Sequence, residues 1–436
     1  MIICLFFFAS SLKGQSKTKI LSLDEAVNLA IKNNHAIGIA DLEKQKAVFQ
    51  RKESMARLLP NLEGYSNFSY YYAIPKMVIP GEIFGKSGNI PVEFGTKYDW
   101  NSGIKFSQLI YNQSYFTSLH LLNEFIDLQR LNLELQKEEV AYQVSRLYYL
   151  CLSIRKQLTA FDSTLTNMQR LREIIILQMN NDFARPADVN RVAIDIRKLE
   201  IEKLLLEEHL LQQMNLLKYL TGQPAESVIL LQDELPDHFK RTTLFNSRGN
   251  PRLELQILDQ QINAAELRIK MEKQSYLPGL YLFGQHYYQG MRDRFDFFDG
   301  GEDRFFKSGI VGLRLNVPLF HGFSKSHRIR MNQLALKQAR LQREEYQIRH
   351  HSEREEAWKK YQNSLEALEM QTHNVEAARE IYQTNLLGYR EQVVSLTDLL
   401  LSENQLAESR MSYYKTAFEF MDAELRLKKL EGRILE

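Results

Sequence analysis

Residues able to carry chemistry are thinly spread along these 436 residues, and none is spaced as an active centre requires. The chain has no GxxxxGK, GxGxxG or GxSxG run, so it encodes neither a phosphate-cradling loop nor a nucleophile elbow. His350 and His351 are adjacent, which on a helix turns their rings apart, and no neighbour completes a metal site. The acidic run from Asp293 to Asp303 (DRFDFFDGGED) departs from calcium-loop spacing and reads as a solvent-facing loop outside the cell. Of two cysteines, Cys4 lies in an apolar leader, which leaves Cys151 alone and excludes a disulfide framework or Cys-rich metal centre. No catalytic residue, metal or cofactor is expected, and an enzyme is not the reading. What remains is a pair of aspartates, Asp188 and Asp398, 210 residues apart. Asp188 follows Pro186 and Asp398 follows Ser395 in the first turn of a helix, where a carboxylate satisfies free backbone N–H groups.

The elements that must hold these residues are long. Lysine plus arginine number 56 against 54 acids, a net charge of +2, so nothing points to nucleic acid as a partner. With 44% hydrophobic and 25% charged residues the composition is globular rather than disordered, while 20 glycines and 10 prolines are too few for many turns. Repetition is the strongest signal. Leu59-Pro60-Asn61-Leu62 recurs as Leu277-Pro278-Gly279-Leu280, Gly103-Ile104-Lys105-Phe106 as Gly312-Leu313-Arg314-Leu315, and Asp188-Val189 as Asp398-Leu399, at offsets of 218, 209 and 210. The order and near-constant spacing imply two copies of one unit.

Each copy carries a strict heptad pattern. Leu119, Ile126, Leu133, Val140, Leu147, Ile154, Phe161, Met168 and Ile175 occupy one heptad position without a miss, which demands left-handed supercoiling against partner helices. The pattern predicts a helix from Ser114 to about Asn181 and its repeat from Ser324 to about Glu391, each roughly 100 Å long. In the second copy Leu334, Leu341 and Ile348 precede a register shift, after which Tyr361, Leu368, Val375, Tyr382 and Tyr389 follow. Returning helices from Asp188 and Asp398 continue the pattern, with Lys203 its one exception. Two shorter helices, stacked end to end, would lie beside each long one.

Between the helices the period changes to two. Residues 61–72, 97–111, 279–290 and 308–320 alternate and are rich in aromatic residues, which predicts four strands. Val311, Leu313, Leu315 and Val317 share one face, with Ile104 and Phe106 in the first copy, while Arg314, Asn316 and Lys105 share the other. Such a wall suits either a membrane barrel, aliphatic side to lipid and polar side to a wet lumen, or a soluble sandwich. Four strands cannot close, because a barrel needs about eight to enclose even a filled interior, so the chain must oligomerise. Two copies give eight strands and a plugged interior; three give 12 and room for a pore. Tyr70, Tyr71, Tyr72, Tyr98, Trp100, Tyr287 and Tyr288 cluster toward strand ends, as an interfacial girdle or plain β-propensity would place them.

The expected organisation is a signal peptide at 1–14, an N-terminal helix at 15–60, a first strand pair at 61–112 and a first helical hairpin at 113–221. An equatorial belt at 222–249, a helix at 250–277, a second strand pair at 278–321, a second hairpin at 322–431 and a tail at 432–436 complete it.

Leu21-Ser22-Leu23-Asp24-Glu25-Ala26-Val27, with Leu29-Ala30 and Asn33-Asn34, together with the Leu59-Pro60 and Leu277-Pro278 junctions, resembles the motifs of TolC-type outer membrane efflux proteins. The resemblance covers nearly all of the chain after the leader. It implies a mainly helical fold of long antiparallel coiled-coil helices with four transmembrane strands per chain. Three chains would close a 12-stranded barrel in the outer membrane of a Gram-negative bacterium and an α-helical tunnel across the periplasm. It also implies a periplasmic adaptor and an inner membrane pump (RND, ABC or similar) as partners, with a role in tripartite efflux or type I secretion. The turns at Asp182–Pro186 and Gln392–Ser395 would form the periplasmic entrance. There the resemblance gives the Asp398 position to an acidic ring, with Asp188 beside it, and leaves Tyr389 as a closing contact or a heptad core residue. This chain departs from the family in carrying Leu401, Val394, Asp182 and Gln392 at positions where a second Asp, a gating Arg and tip glycines occur. The alternative is an exported soluble coiled-coil scaffold or adhesion protein without a channel.

Overall fold

The computed structural model describes residues 19–235, 252–299 and 305–435. The expected leader at 1–14, the belt beyond residue 235 and residues 300–304 of the acidic run lie outside them. In chain order the elements are β1 (Lys19–Leu21), α1 (Leu23–Asn33), α2 (His35–Ala56), β2 (Asn61–Tyr70), β3 (Lys76–Pro80), β4 (Asn89–Glu93) and β5 (Tyr98–Tyr111). Then follow α3 (Gln113–Asn180), α4 (Pro186–Leu220), β6 (Ile229–Leu231), α5 (Leu253–Gln274), β7 (Gly279–Arg292), β8 (Phe306–Asn316), α6 (Ser324–Arg390) and α7 (Leu396–Leu430). Two compact units result. One takes the residues up to Glu43, Gln129–Asp259 and those from Gln342; the other takes Lys44–Leu128 and Gln260–Leu341. No helix among the described residues is long and apolar enough to cross a membrane.

In the first unit the heptad stripe of α3 is the core. Leu133, Val140, Leu147, Ile154, Phe161, Met168 and Ile175 are all buried, clustered with Leu399, Phe420 and Leu427 of α7 and Ile196 and Leu217 of α4. Lys203 keeps its place beside this stripe through a 2.7 Å ion pair with Asp162. A small parallel ladder, β1 with β6, is tied to α3 by the fully buried Tyr148, whose hydroxyl lies 2.8 Å from the Asp233 carboxylate.

The repeat reaches the helix ends. Asp182 and Gln392 take positive φ (63° and 61°), and Phe183 N–H and Val393 N–H each reach back 2.8 Å to Gln178 and Gly388 carbonyls. Gly222 and Gly432 do the same where α4 and α7 stop, through Gln223 N–H to Lys218 O and Arg433 N–H to Lys428 O. All four are left-handed C-terminal caps that satisfy carbonyls the helix leaves unpaired. Gly222 is also sterically required, since a Cβ there would lie 2.7 Å from Asn33.

The N-terminal segment, expected as one helix, is divided at Asn34, whose ψ of 129° ends α1. Its side chain serves two further helices. Oδ1 accepts from Ala36 N–H and caps α2, while Nδ2 donates to the Leu220 carbonyl at the end of α4. Arg252 holds the matching place before α5 and donates to the Lys429 carbonyl at the end of α7.

The second unit contains a four-stranded antiparallel sheet in the order β2-β5-β7-β8, with β2 and β8 as unpaired edges. A hairpin, β3 with β4, was not expected; Pro75, Pro80 and Pro91 break the alternation that would have marked it.

Candidate functional site: the sheet wall and the helical tips

Strand register fixes what each face of the sheet carries. Ile104 pairs with His286, Phe106 with Gly284 and Gly284 with Val311, while Leu282 pairs with Leu313 and Leu280 with Leu315. Cross-strand partners lie on one face, so Ile104, Phe106, Val311, Leu313 and Leu315 share an apolar side. Lys105 opposite Gln285, Arg314 opposite Tyr281 and Asn316 opposite Gly279 share the other. Val317 lies one residue past β8, so register does not assign it a face. The apolar side is exposed over the single chain: Val311 is 73% accessible, Leu313 66% and Leu315 62%. On the polar side Lys105 stacks over Tyr65 at 4.1 Å and Arg314 over Phe283 at 4.8 Å, which holds both cations against the wall. Of the aromatic residues near strand ends, Tyr70, Tyr98, Trp100 and Tyr288 fall on the apolar face and Tyr287 on the polar one.

At the helical tips the Asp188 carboxylate accepts a backbone N–H, whereas Asp398 is itself capped by Ser395. Arg185 N–H donates to Asp188 Oδ2 at 3.1 Å; Asp398 N–H donates to Ser395 Oγ at 3.2 Å, and that hydroxyl lies 2.6 Å from Asp398 Oδ2. Asp188 is half-buried and Asp398 exposed. Tyr389 does not stand alone. Its hydroxyl donates to Gln178 Oε1 at 2.8 Å, tying the second hairpin to the first, and burial together with the nearby Asp188 charge pushes its pKa up. Arg191 Nη1 adds a second tie to Thr397 Oγ1 at 2.7 Å.

Two features of the tips escape sequence reasoning. Leu177 and Phe183 are 63% and 75% exposed, and their counterparts at offset 210, Leu387 and Val393, are 61% and 81% exposed. Each chain thus presents two equivalent apolar tips. One turn beyond Asp398, Glu403 is buried (2% accessible) between α3, α6 and α7, with Asn167 Nδ2 at 3.5 Å from Oε1 and no partner for Oε2. Burial holds its carboxyl above the ordinary range, opposed by Asn167, Arg410 and Tyr382. Its position between Leu399 and Leu406 on the apolar stripe was the available signal. His350 stacks on Tyr346, with ring centres 5.7 Å apart, and burial lowers its pKa; it is a packing residue.

Long paired helices carrying a four-stranded sheet with one apolar and one polar face define the fold of outer membrane efflux channels. Residues 250–433 match the family model for outer membrane efflux proteins. Among solved structures, the outer membrane protein VceC of Vibrio cholerae is 14% identical with a TM-score of 0.74, the match covering 94% of this chain and 96% of that one. The CmeC outer membrane channel of Campylobacter jejuni is 15% identical, TM-score 0.76, covering 99% and 94%. The open-state MtrE outer membrane channel of Neisseria gonorrhoeae is 14% identical, TM-score 0.71, covering 95% and 89%. No curated protein matches the chain significantly. The likeness to outer membrane efflux proteins therefore holds in sequence over residues 250–433 and in fold over nearly the whole chain.

Proposed function

We propose that the protein is the outer membrane channel of a tripartite efflux or type I secretion system in a Gram-negative bacterium, acting as a passive conduit. The observation that carries this reading is the open sheet. Its edges β2 and β8 lack partners among the described residues, and unpaired backbone groups are not tolerated in lipid. Three copies supply 12 strands and close a barrel with a lumen. Ile104, Phe106, Val311, Leu313, Leu315 and Val317 then face lipid, while Lys105, Arg314 and Asn316 face the lumen. The early heptad positions of α6 support assembly too: Leu334, Leu341 and Ile348 are 56%, 56% and 67% exposed, a stripe left for another copy to cover.

At the periplasmic entrance, Asp188 and Asp398 from three chains form a ring that favours cations. Tyr389 is the clasp between hairpins that must release for the tips to part. The apolar tip pairs, six per trimer, suit a periplasmic adaptor, which connects the tunnel to an inner membrane pump that supplies the energy. The test is extraction and assembly. A channel requires detergent, runs as a trimer, and conducts ions in planar bilayers. A protein that dissolves in buffer as a monomer is instead the exported scaffold.

A further inference from the structure

We infer that the segment 293–299, which follows β7, is a membrane anchor, folded down onto the lipid face of the barrel and seated at the headgroup boundary of the outer leaflet. The inference rests on the sheet being a membrane wall. As a charged loop between strands, Asp293–Asp303 reads as a solvent-facing connection, but the structure places its rings elsewhere. Phe297 is 5% accessible and packs edge-on against Trp100 at 5.5 Å and Phe68 at 6.0 Å. Phe295 meets Phe68 at 5.7 Å and Tyr98 at 5.9 Å, and Phe298 meets Trp100 at 5.5 Å. Register puts Phe68, Tyr98 and Trp100 on the apolar side with Ile104 and Phe106, so the loop lies against that side and not over the lumen. The indole N–H of Trp100 is already satisfied by Ser66 Oγ at 2.9 Å, which leaves its ring as a packing surface.

The docked loop does not finish by burying itself. Phe295 remains 57% and Phe298 74% accessible, continuous with the exposed apolar sheet. Among them stand Asp293, Arg294 and Asp299, all exposed, and Arg292, whose Nε lies 3.9 Å from Asp296. Aromatic rings mixed with charged groups suit neither the acyl core, where charge is expensive, nor water, where two bare phenylalanines are unfavourable. They suit the boundary between them. The partner is thus a lipid surface, with rings below the headgroups and the loop's charged residues among them.

Trp100 and Trp358 are the two tryptophans, so position can be read by fluorescence. The Phe298→Trp change, in a Trp100→Phe/Trp358→Phe background, is reconstituted in phosphatidylcholine vesicles with lipids brominated near the headgroup end of the acyl chain, or exposed to iodide. Anchoring predicts that the brominated lipid roughly halves the emission while iodide leaves it unchanged. Quenching by iodide alone puts the loop in water, and protection from both quenchers means a neighbouring copy covers it; either result overturns the inference. The Trp358→Phe protein, reporting Trp100 on the sheet, separates the two failures. If Trp100 is lipid-quenched and position 298 is not, only the anchor is wrong; if neither is, the membrane wall itself is wrong. Should the Trp100→Phe background misfold, Phe298→Cys labelled with bimane in the natural background gives the same discrimination.

Discussion

Arg252→Met tests whether the joint before α5 is held by one guanidinium. The Arg252 side chain is 7% accessible and sits between Glu254 at 2.5 Å and Glu138 at 3.5 Å, while also donating to the Lys429 carbonyl at the end of α7. Glu138 is 10% accessible; burial raises its pKa, and the arginine is the largest opposing influence. Methionine keeps the stem but strands this carboxylate, while the Lys429 carbonyl still accepts from Gly432 N–H at 3.0 Å. Removing one partner of a buried ion pair costs about 3–5 kcal/mol, which at roughly 2–4 °C per kcal/mol lowers the melting midpoint by about 6–20 °C. The assay is helical circular dichroism on heating, in detergent, for Arg252→Met, Glu138→Gln and the double variant. Because the stranded Glu138 carries a folded-state pKa above its unfolded one, the loss should be small near the unfolded pKa and grow as pH rises. The double variant should recover part of the deficit and lose that pH dependence. A midpoint for Arg252→Met within about 2 °C of the natural protein, or a deficit that the second change leaves intact, refutes the argument.

Glu403→Gln should stabilise the helical unit by about 1–3 kcal/mol at around pH 8, because it removes a buried carboxylate with an unpaired oxygen. The carboxyl's folded pKa is raised, so the natural protein loses stability as pH climbs above the ordinary value of 4.5; the variant's melting curve should shift less over that window, by the Glu403 contribution. Gln392→Gly, at a φ of 61°, should add about 1 kcal/mol by relieving left-handed strain, with Asp182→Gly adding less because aspartate tolerates that conformation better; urea midpoints decide. Asp398→Ala should lower cation selectivity in single-channel recordings while leaving its backbone N–H capped by Ser395 Oγ; unchanged selectivity would deny the axial ring.

The helices were the most legible part of the chain, because heptad positions must point one way for the length of the coil. Nine aligned positions placed α3 within a residue of its observed ends. The faces of the sheet were legible for the same reason: period two leaves Arg314 and Leu313 no choice but opposite sides. The breaks were less so. Asn34 reads as an ordinary helical position until Leu220 arrives beside it, since the bond that ends α1 joins residues 186 apart. In the acidic loop the burial of Phe297 was not legible among its aspartates. Whether that ring faces water depends on Phe68 and Trp100, more than 190 residues earlier in the chain. The exposed Leu334, Leu341 and Ile348 mark the other limit: a heptad names a contact but not which chain supplies it.

The duplication explains where the two halves are free to differ. Backbone caps must be kept in both copies, since every helix end has the same unpaired carbonyls; hence positive φ recurs at Asp182 and Gln392, and at Gly222 and Gly432. Side chains need only fill the same role. Asn34 and Arg252 each close the end of a returning helix, one as a neutral amide and the other as a buried cation with two carboxylates. Glu403 goes further, because the equivalent position 210 residues earlier is Ala193, which carries no ionisable group. The second hairpin is therefore held by contacts that depend on charge, with Tyr389 and Glu403 on its own helices and Gln178 and Asn167 facing them from α3. Glu403 thus adds a pH-dependent contact beside the apolar cluster in which Val192, Ile196 and Leu199 of the first hairpin meet Leu399 and Leu400 of the second.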